Sequence, residues 1–235
     1  MGRMDIGIIM AAGSGERLFS SLKMKKQFYP FIGNKEMFLS SAYAFIDSKV
    51  DKIYLVISSE DKEKVISVLR RENLEDKITL VEGSSSRERS VKRAVDRIRG
   101  DYPASLYKDI YAYIHDGDRP FITSDFILRL KKEARGKVGL IPYSANSSSL
   151  FNLKDREYVN RDDYVQIQTP QVFRFDALSD SFEKIKGRED SFLDEGSILL
   201  SCSYDVLFTK GVSTNIKISD EKSLAYGLYY ISKEK

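Results

Sequence analysis

The sequence predicts an α/β fold, a mostly parallel, doubly wound (Rossmann-like) sheet with a protruding β-arm. Three observations predict it. Short β-branched apolar runs recur through the first two-thirds of the chain, amphipathic helical patterns separate them, and one polar, turn-rich stretch interrupts the alternation. Strands that are apolar throughout are buried on both faces, and the intervening helices supply the cover.

Taken in order, the strand runs are IGIIM at 6–10, KIYLVIS at 52–58, ITLV at 78–81, IYAYI at 110–114 and VGLIPY at 138–143. Between them, residues 36–47 place Phe38, Ala42 and Phe45 on one helical face, and residues 61–72 carry Val65, Ile66, Val68 and Leu69. Residues 86–99 place Val91, Ala94, Val95 and Ile98 at i, i+3, i+4, i+7. The stretch 144–163 breaks the pattern and holds only weak strand pairs near 150–153 and 157–159, so it reads as an arm or hairpin leaving the sheet. Helices near 174–186 and 193–201, a strand at 204–208, a strand over NIKIS at 215–219 and a closing helix over 220–231 follow. Neither a repeat nor a linker composition divides the chain, so one domain over 1–235 with an excursion at about 144–165 is expected.

Composition narrows the chemistry. Lys plus Arg number 38 against 35 Asp plus Glu, a net charge of +3 over 235 residues, which gives no global case for a nucleic-acid partner. A single cysteine, Cys202, excludes an intrachain disulfide framework, and a single histidine, His115, argues against a His-based triad or a multi-His metal site. The apolar runs fall far short of the roughly 18 residues that span a bilayer, so no membrane partner is expected. The opening apolar segment runs directly into a Gly loop without a cleavage pattern, and the expected location is cytoplasmic.

That loop is the most informative stretch: Ala11, Ala12, Gly13, Ser14, Gly15, Glu16, Arg17, Leu18. Glycines at 13 and 15 allow backbone N–H groups to approach a phosphate chain closely. A P-loop needs Lys-Ser/Thr after its second glycine, and a dinucleotide fingerprint needs a small residue where Leu18 stands, so neither applies. Arg17 and the basic run Lys23, Lys25, Lys26 make the loop a charge clamp for a triphosphate, or alternatively a β–α turn with solvated lysines.

The second constellation, 115–121 (HDGDRPF), closes the fourth strand run, where carboxylates enter the ligand crevice of open α/β sheets. Asp116 is the candidate Mg²⁺ ligand and Arg119 a candidate anion contact. Asp118 reads equally as part of the chemistry or as an ion pair with Arg119, and His115 as a residue that orients the turn. GSSSRERSV at 83–91 opens a helix and suits either plain N-capping or recognition by backbone groups. Thr169 contacts a ligand or starts a turn, and Lys217 alternates away from two isoleucines, the usual pattern of a solvated lysine.

Together and in this order the segments resemble the cytidylyltransferase family that includes 2-C-methyl-D-erythritol 4-phosphate and ribitol-5-phosphate cytidylyltransferases. The family patterns A-A-G-x-G-x-R, P-K-Q-F, G-G-x-x-R-x-x-S-V, H-D-A-A-R-P, T-P-Q-x-F, D-E-A-S and N-I-K-[VI]-[ST] stand here as AAGSGER at 11–17, KKQF at 25–28, GSSSRERSV at 83–91, HDGDRP at 115–120, TPQVF at 169–173, DEGS at 194–197 and NIKIS at 215–219. The resemblance implies transfer of a cytidylyl group from CTP to a small polyol phosphate with release of pyrophosphate.

Carried over residue by residue, it assigns Arg17, Lys26 and Lys217 to catalysis. The nucleotide falls to Ala11, Ala12, Gly13, Ser14, Gly15, Gly83, Ser84, Ser90, Asp116 and Gly117, with Mg²⁺ on Asp116. The acceptor falls to Arg119, Asn146, Arg161 and Thr169. It further implies a homodimer built through the 144–165 arm. The sequence departs from the family at Lys25, Ser84 and Gly117-Asp118, and at 142–146, where the family's P-x-x-D-T stands as Pro142-Tyr143-Ser144-Ala145-Asn146: the Asp is missing, while Asn146 can still hydrogen-bond a hydroxyl. The acceptor expected first is 2-C-methyl-D-erythritol 4-phosphate, with ribitol 5-phosphate and an inactive nucleotide-binding homologue as alternatives. A Rossmann oxidoreductase is disfavoured, because Ser58-Ser59 stand where its acidic residue would close the second strand.

Overall fold

Side-chain alternation along the first strand sets the architecture of the chain, whose computed structural model describes residues 2–13, 15, 18 and 22–233. In β1 (Met4–Ala11), Ile6 and Ile8 face one side of the sheet while Ile9 and Ala11 face the other, and all four are buried. The same division runs through β2 (Lys52–Ile57), with Tyr54 and Val56 opposite Ile53, Leu55 and Ile57. In β4 (Ile110–Asp116), Ile110, Ala112 and Ile114 lie opposite Tyr111 and Tyr113.

Each face therefore needs a cover of helices. On one, α1 (Met37–Asp47) contributes Phe38, Leu39, Ala42 and Phe45, α2 (Lys62–Arg71) Val65, Val68 and Leu69, and α4 (Ser124–Glu133) Phe126, Ile127 and Leu130. On the other, α3 (Arg87–Asp101) contributes Val91, Ala94, Val95 and Ile98. It is joined there by Leu178 and Phe182 of α5 (Phe175–Lys184) and Ile198 and Leu199 of α6 (Glu195–Ser201). Local chemistry starts these helices: the Ser86 hydroxyl accepts from the Arg89 N–H, Thr123 from Phe126, and Asp194 from Ser197 in a reciprocal capping box. Nothing in the sequence reading was assigned to 124–133, although Thr123 and the Phe126, Ile127, Leu130 spacing mark a capped amphipathic helix.

The sheet order is β3-β2-β1-β4-β9-β5-β10, with β3 at Ile78–Glu82, β5 at Gly139–Ala145, β9 at Gln171–Arg174 and β10 at Val206–Lys210. β1 pairs in parallel with both β2 and β4, so the chain reverses its winding between them. The carboxyl ends of β1 and β4 thus flank the crevice where doubly wound sheets bind ligands.

The structure corrects the expected elements in three places. β9, read as the lead-in to a helix, is an antiparallel strand between β4 and β5. The NIKIS segment forms no strand: its polar backbone groups are committed to the site, with the Ile218 N–H donating to the Asp118 carbonyl at 2.8 Å. Around the expected arm, β5 continues to Ala145 and β8 (Val165–Ile167) returns antiparallel to it, while β6 (Leu150–Asn152) and β7 (Glu157–Val159) pair as a separate two-stranded sheet. Finally, α7 (Glu221–Lys233) carries Leu224 onto a third apolar cluster with Leu18, Phe31, Phe121 and Ile218. No helix among the described residues is long and apolar enough to cross a membrane.

Candidate functional site

A cavity of about 650 Å³ opens where the winding reverses. Its floor is the end of β1 and the Gly loop, residues 10–13 and 15. Its walls are Lys26 and Gln27, residues 84–87 and Ser90 at the start of α3, residues 116–118 after β4, and Lys217 and Ser219. The loop packs so closely against the start of α3 that a Cβ on Gly83 would stand 2.6 Å from that of Ala12. Gly15 has φ +67°, a backbone conformation that favours glycine. Ser14 and Arg17 lie outside the described residues.

The basic run divides. Lys25 turns away to Asp61 at 2.9 Å and Glu60 at 3.5 Å. Lys26 turns into the cavity, where its ammonium donates to the Asp118 carboxylate and to the Ile218 carbonyl at 3.0 Å. Asp118 therefore pairs with Lys26, not with Arg119 as the simple ion-pair reading had it. Gln27 ties the run to the loop by donating to the Gly13 carbonyl at 3.2 Å.

Asp116 is the electrostatic centre. Its Oδ2 accepts from Lys217 at 3.0 Å and from Arg119 at 3.4 Å, and its Oδ1 accepts from Arg87 at 3.3 Å. Burial alone would push this carboxyl up, but Arg87, Lys217 and Arg119 together hold it well below the usual carboxylate range. Lys217 thus lines the cavity and pairs with Asp116 while its side chain stays 38% exposed. Among the described residues no cluster of three acidic, His or Cys side chains could hold a metal ion. Mg²⁺ commonly takes one or two carboxylates beside substrate phosphates, so the Asp116 carboxylate on this cavity suits that ion.

Behind Asp116 lies a network that fixes it. The Thr169 hydroxyl accepts from the Asp116 N–H at 3.2 Å and meets His115 Nδ1 at 2.9 Å. His115 Nε2 faces the Arg119 carbonyl at 3.3 Å. A carbonyl can only accept, so Nε2 carries the hydrogen and Nδ1 accepts from Thr169. Burial lowers the His115 pKa to about 4, and the ring is neutral at pH 7, a structural part as the sequence predicted. Arg119 also donates to the carbonyls of Asn215 at 3.0 Å and Ile167 at 3.5 Å. Neither Arg119 nor Thr169 lines the cavity; both position Asp116.

At the start of α3 the Ser90 hydroxyl accepts from the Ser84 N–H at 2.8 Å and donates to the Ser86 carbonyl at 2.6 Å, which curls residues 84–86 into the cavity wall. The segment both caps the helix and lines the cavity. Ala11, Ala12, Gly13, Gly15, Ser84, Ser90, Asp116 and Gly117 all line the cavity, and Gly83 abuts it. Asn146 and Arg161 do not. Asn146 donates to the Tyr164 carbonyl at 2.8 Å and Arg161 to the Ser147 carbonyl at 3.0 Å, both within the excursion.

Sequence reasoning missed Arg87 and Glu195. Arg87 grips Glu195 through two bonds, 2.7 and 3.2 Å, and reaches Asp116 with its Nε. Glu195 is 0% exposed. The signal existed, since a motif that opens a helix with Arg and another that opens one with Asp-Glu are natural partners, but no spacing rule joins residues 108 apart.

A family model described as 2-C-methyl-D-erythritol 4-phosphate cytidylyltransferase matches residues 6–233. The enzyme of that name from Thermosipho africanus is 32% identical over 232 residues, covering 94% of this chain and 95% of its own. Its namesake from Thermosipho melanesiensis is 30% identical over 238 residues, with 99% and 98% covered. Among solved structures, 4-diphosphocytidyl-2C-methyl-D-erythritol synthase from Anaerococcus prevotii superposes with a TM-score of 0.82 at 24% identity, covering 98% of this chain and 97% of the other. The Francisella tularensis 2-C-methyl-D-erythritol 4-phosphate cytidylyltransferase gives 0.77 at 24% identity, with 96% and 99% covered, and these two structures speak for the fold. With its near full-length family match and two relatives at 30% identity or more, the chain belongs to the 2-C-methyl-D-erythritol 4-phosphate cytidylyltransferase family.

Proposed function

We propose that the chain, acting as a single nucleotidyltransferase domain, transfers the cytidylyl group of CTP to 2-C-methyl-D-erythritol 4-phosphate and releases pyrophosphate, a step of isoprenoid precursor synthesis. The observation that carries the reading is the pairing of two inward lysines, Lys26 and Lys217, with the Gly loop in one cavity at the point where the winding reverses. The acceptor phosphate is an anionic nucleophile at pH 7, so its oxygen attacks the α-phosphorus without a general base. A neutral, fully bonded His115 suits a reaction that asks for none. The work left to the protein is positioning and charge neutralisation, and we assign it to Lys26, Lys217 and Arg17.

Asp116 would hold Mg²⁺ together with the phosphates, and the bound ion supplies further neutralisation of the triphosphate. On binding, Lys217 and Arg87 would exchange part of their contact with Asp116 for phosphate oxygens. The backbone of residues 83–84 and Ser90 would receive the cytosine. Arg119 and Thr169 serve the acceptor side through Asp116.

Asn146 and Arg161 lie in an excursion whose Leu153 and Tyr158 are more than three-quarters exposed. We infer that this segment covers the site of a second copy, making the enzyme a homodimer, and that it works in the cytoplasm. Pyrophosphate release is the test. CTP with Mg²⁺ and 2-C-methyl-D-erythritol 4-phosphate should support it, and chelation of the metal should stop it. Release with ribitol 5-phosphate alone would replace the acceptor, and thermal stabilisation by CTP without any release would make the chain a nucleotide-binding protein instead.

A further inference from the structure

Asp118 stands in a turn that leaves it little freedom. Its carbonyl accepts from the Ile218 N–H at 2.8 Å, and the preceding Gly117 N–H donates to the Met10 carbonyl at 2.9 Å. The side chains of Lys26 and Asp118 are 13% and 15% exposed where they pair. Only one carboxylate oxygen is used in that pair. The other, Oδ1, is buried without a hydrogen-bond partner and lies 3.9 Å from the Lys217 ammonium, which bonds Asp116 instead.

An ion pair kept for stability alone would satisfy both oxygens, because an unpartnered buried acceptor destabilises the fold. The arrangement points to a charge placed for what enters the cavity. A phosphate oxygen approaching Lys26 also approaches Asp118, and in a partly desolvated site that repulsion is weakly screened. The chain therefore presents Lys26 with its attraction partly cancelled. Asp118 is also one of the positions at which the sequence departs from the family pattern.

We propose that Asp118 is a positioning residue that restrains Lys26 electrostatically, holding its ammonium at the cavity wall and weakening the grip of the site on pyrophosphate-bearing ligands. The consequence is easier departure of pyrophosphate at the expense of CTP affinity. This rests on the reading of the cavity as a triphosphate site.

Asp118→Asn keeps the size and shape of the side chain and removes the charge. Titration calorimetry with inorganic pyrophosphate should show its Kd falling about tenfold, a change of 1.4 kcal/mol in binding. The KM for CTP should fall in parallel while kcat does not rise, and Asp118→Glu should return both constants toward the parent values. In a Lys26→Ala background, Asp118→Asn should give a clearly smaller gain, because only the direct repulsion of the phosphate by Asp118 is then relieved. Unchanged or weaker pyrophosphate binding by Asp118→Asn overturns the proposal, and so does an equal gain in the Lys26→Ala background, which would make the effect one of general charge. Should the parent enzyme bind neither pyrophosphate nor CTP, the triphosphate reading itself falls, and this inference with it.

Discussion

Glu195→Gln is the sharpest probe of how the site is held. The carboxylate is fully buried and receives two bonds from Arg87, at 2.7 and 3.2 Å. Glutamine preserves the volume and one acceptor but turns an amide donor toward a guanidinium that has only donors. Breaking one partner of a buried ion pair costs about 3–5 kcal/mol. Arg87 keeps its contact with Asp116 at 3.3 Å, which places the loss at the lower end, about 3 kcal/mol. For a chain of this length that corresponds to a fall in Tm of roughly 9 °C.

The assay is urea denaturation of four proteins: the parent, Glu195→Gln, Arg87→Met and the double variant. With Arg87 gone, Glu195, whose pKa burial already raises, takes up a proton and is neutral, so adding Glu195→Gln should then cost less than about 1 kcal/mol. Equal costs in the two backgrounds would refute the argument, because they would show that Glu195 contributes without Arg87.

Three further outcomes follow from the same geometry. Lys26→Ala should lower turnover about a hundredfold or more, on the order of 3 kcal/mol of transition-state stabilisation, with circular dichroism unchanged; near-parental turnover would remove Lys26 from the mechanism. Gly83→Ala drives a methyl group to 2.6 Å from the Ala12 Cβ and should cost about 1–3 kcal/mol while raising the KM for CTP, read by thermal melting and steady-state kinetics. His115 has a folded pKa of about 4 against 6.5 for the free side chain, so the unfolded chain binds the extra proton between those values and stability must fall as pH drops from 6.5 to 4. The full loss is about 3 kcal/mol, and His115→Gln should flatten that part of the stability profile measured by denaturant titration in chelator.

How far the sequence could be read differs sharply between fold and site. β1 through β5 were legible because each is an apolar run long enough to stand out, and α1 to α3 because their buried positions keep helical spacing. β9 was not, since four residues after Pro170 carry no period of their own and owe their strand character to the neighbours β4 and β5. NIKIS shows the converse: β-branched residues alternate there, yet the backbone is drawn out of any ladder by Lys26, Arg119 and Asp118. In the site, glycines and motif aspartates were legible because their chemistry is local. The partner of each charge was not, as Lys26 with Asp118 and Arg87 with Glu195 join segments 92 and 108 residues apart.

The commitment of residues 215–219 to the cavity orders events along the growing polypeptide. Once residue 210 has emerged, every strand of the main sheet is available to pair, but Lys26 still lacks the Ile218 carbonyl and Asp116 still lacks Lys217. A product halted between these two points would carry the complete sheet with a half-built pocket. In this protein, the partners that fix Lys26 and Asp116 are acquired within a few residues, after the scaffold they depend on has been synthesised.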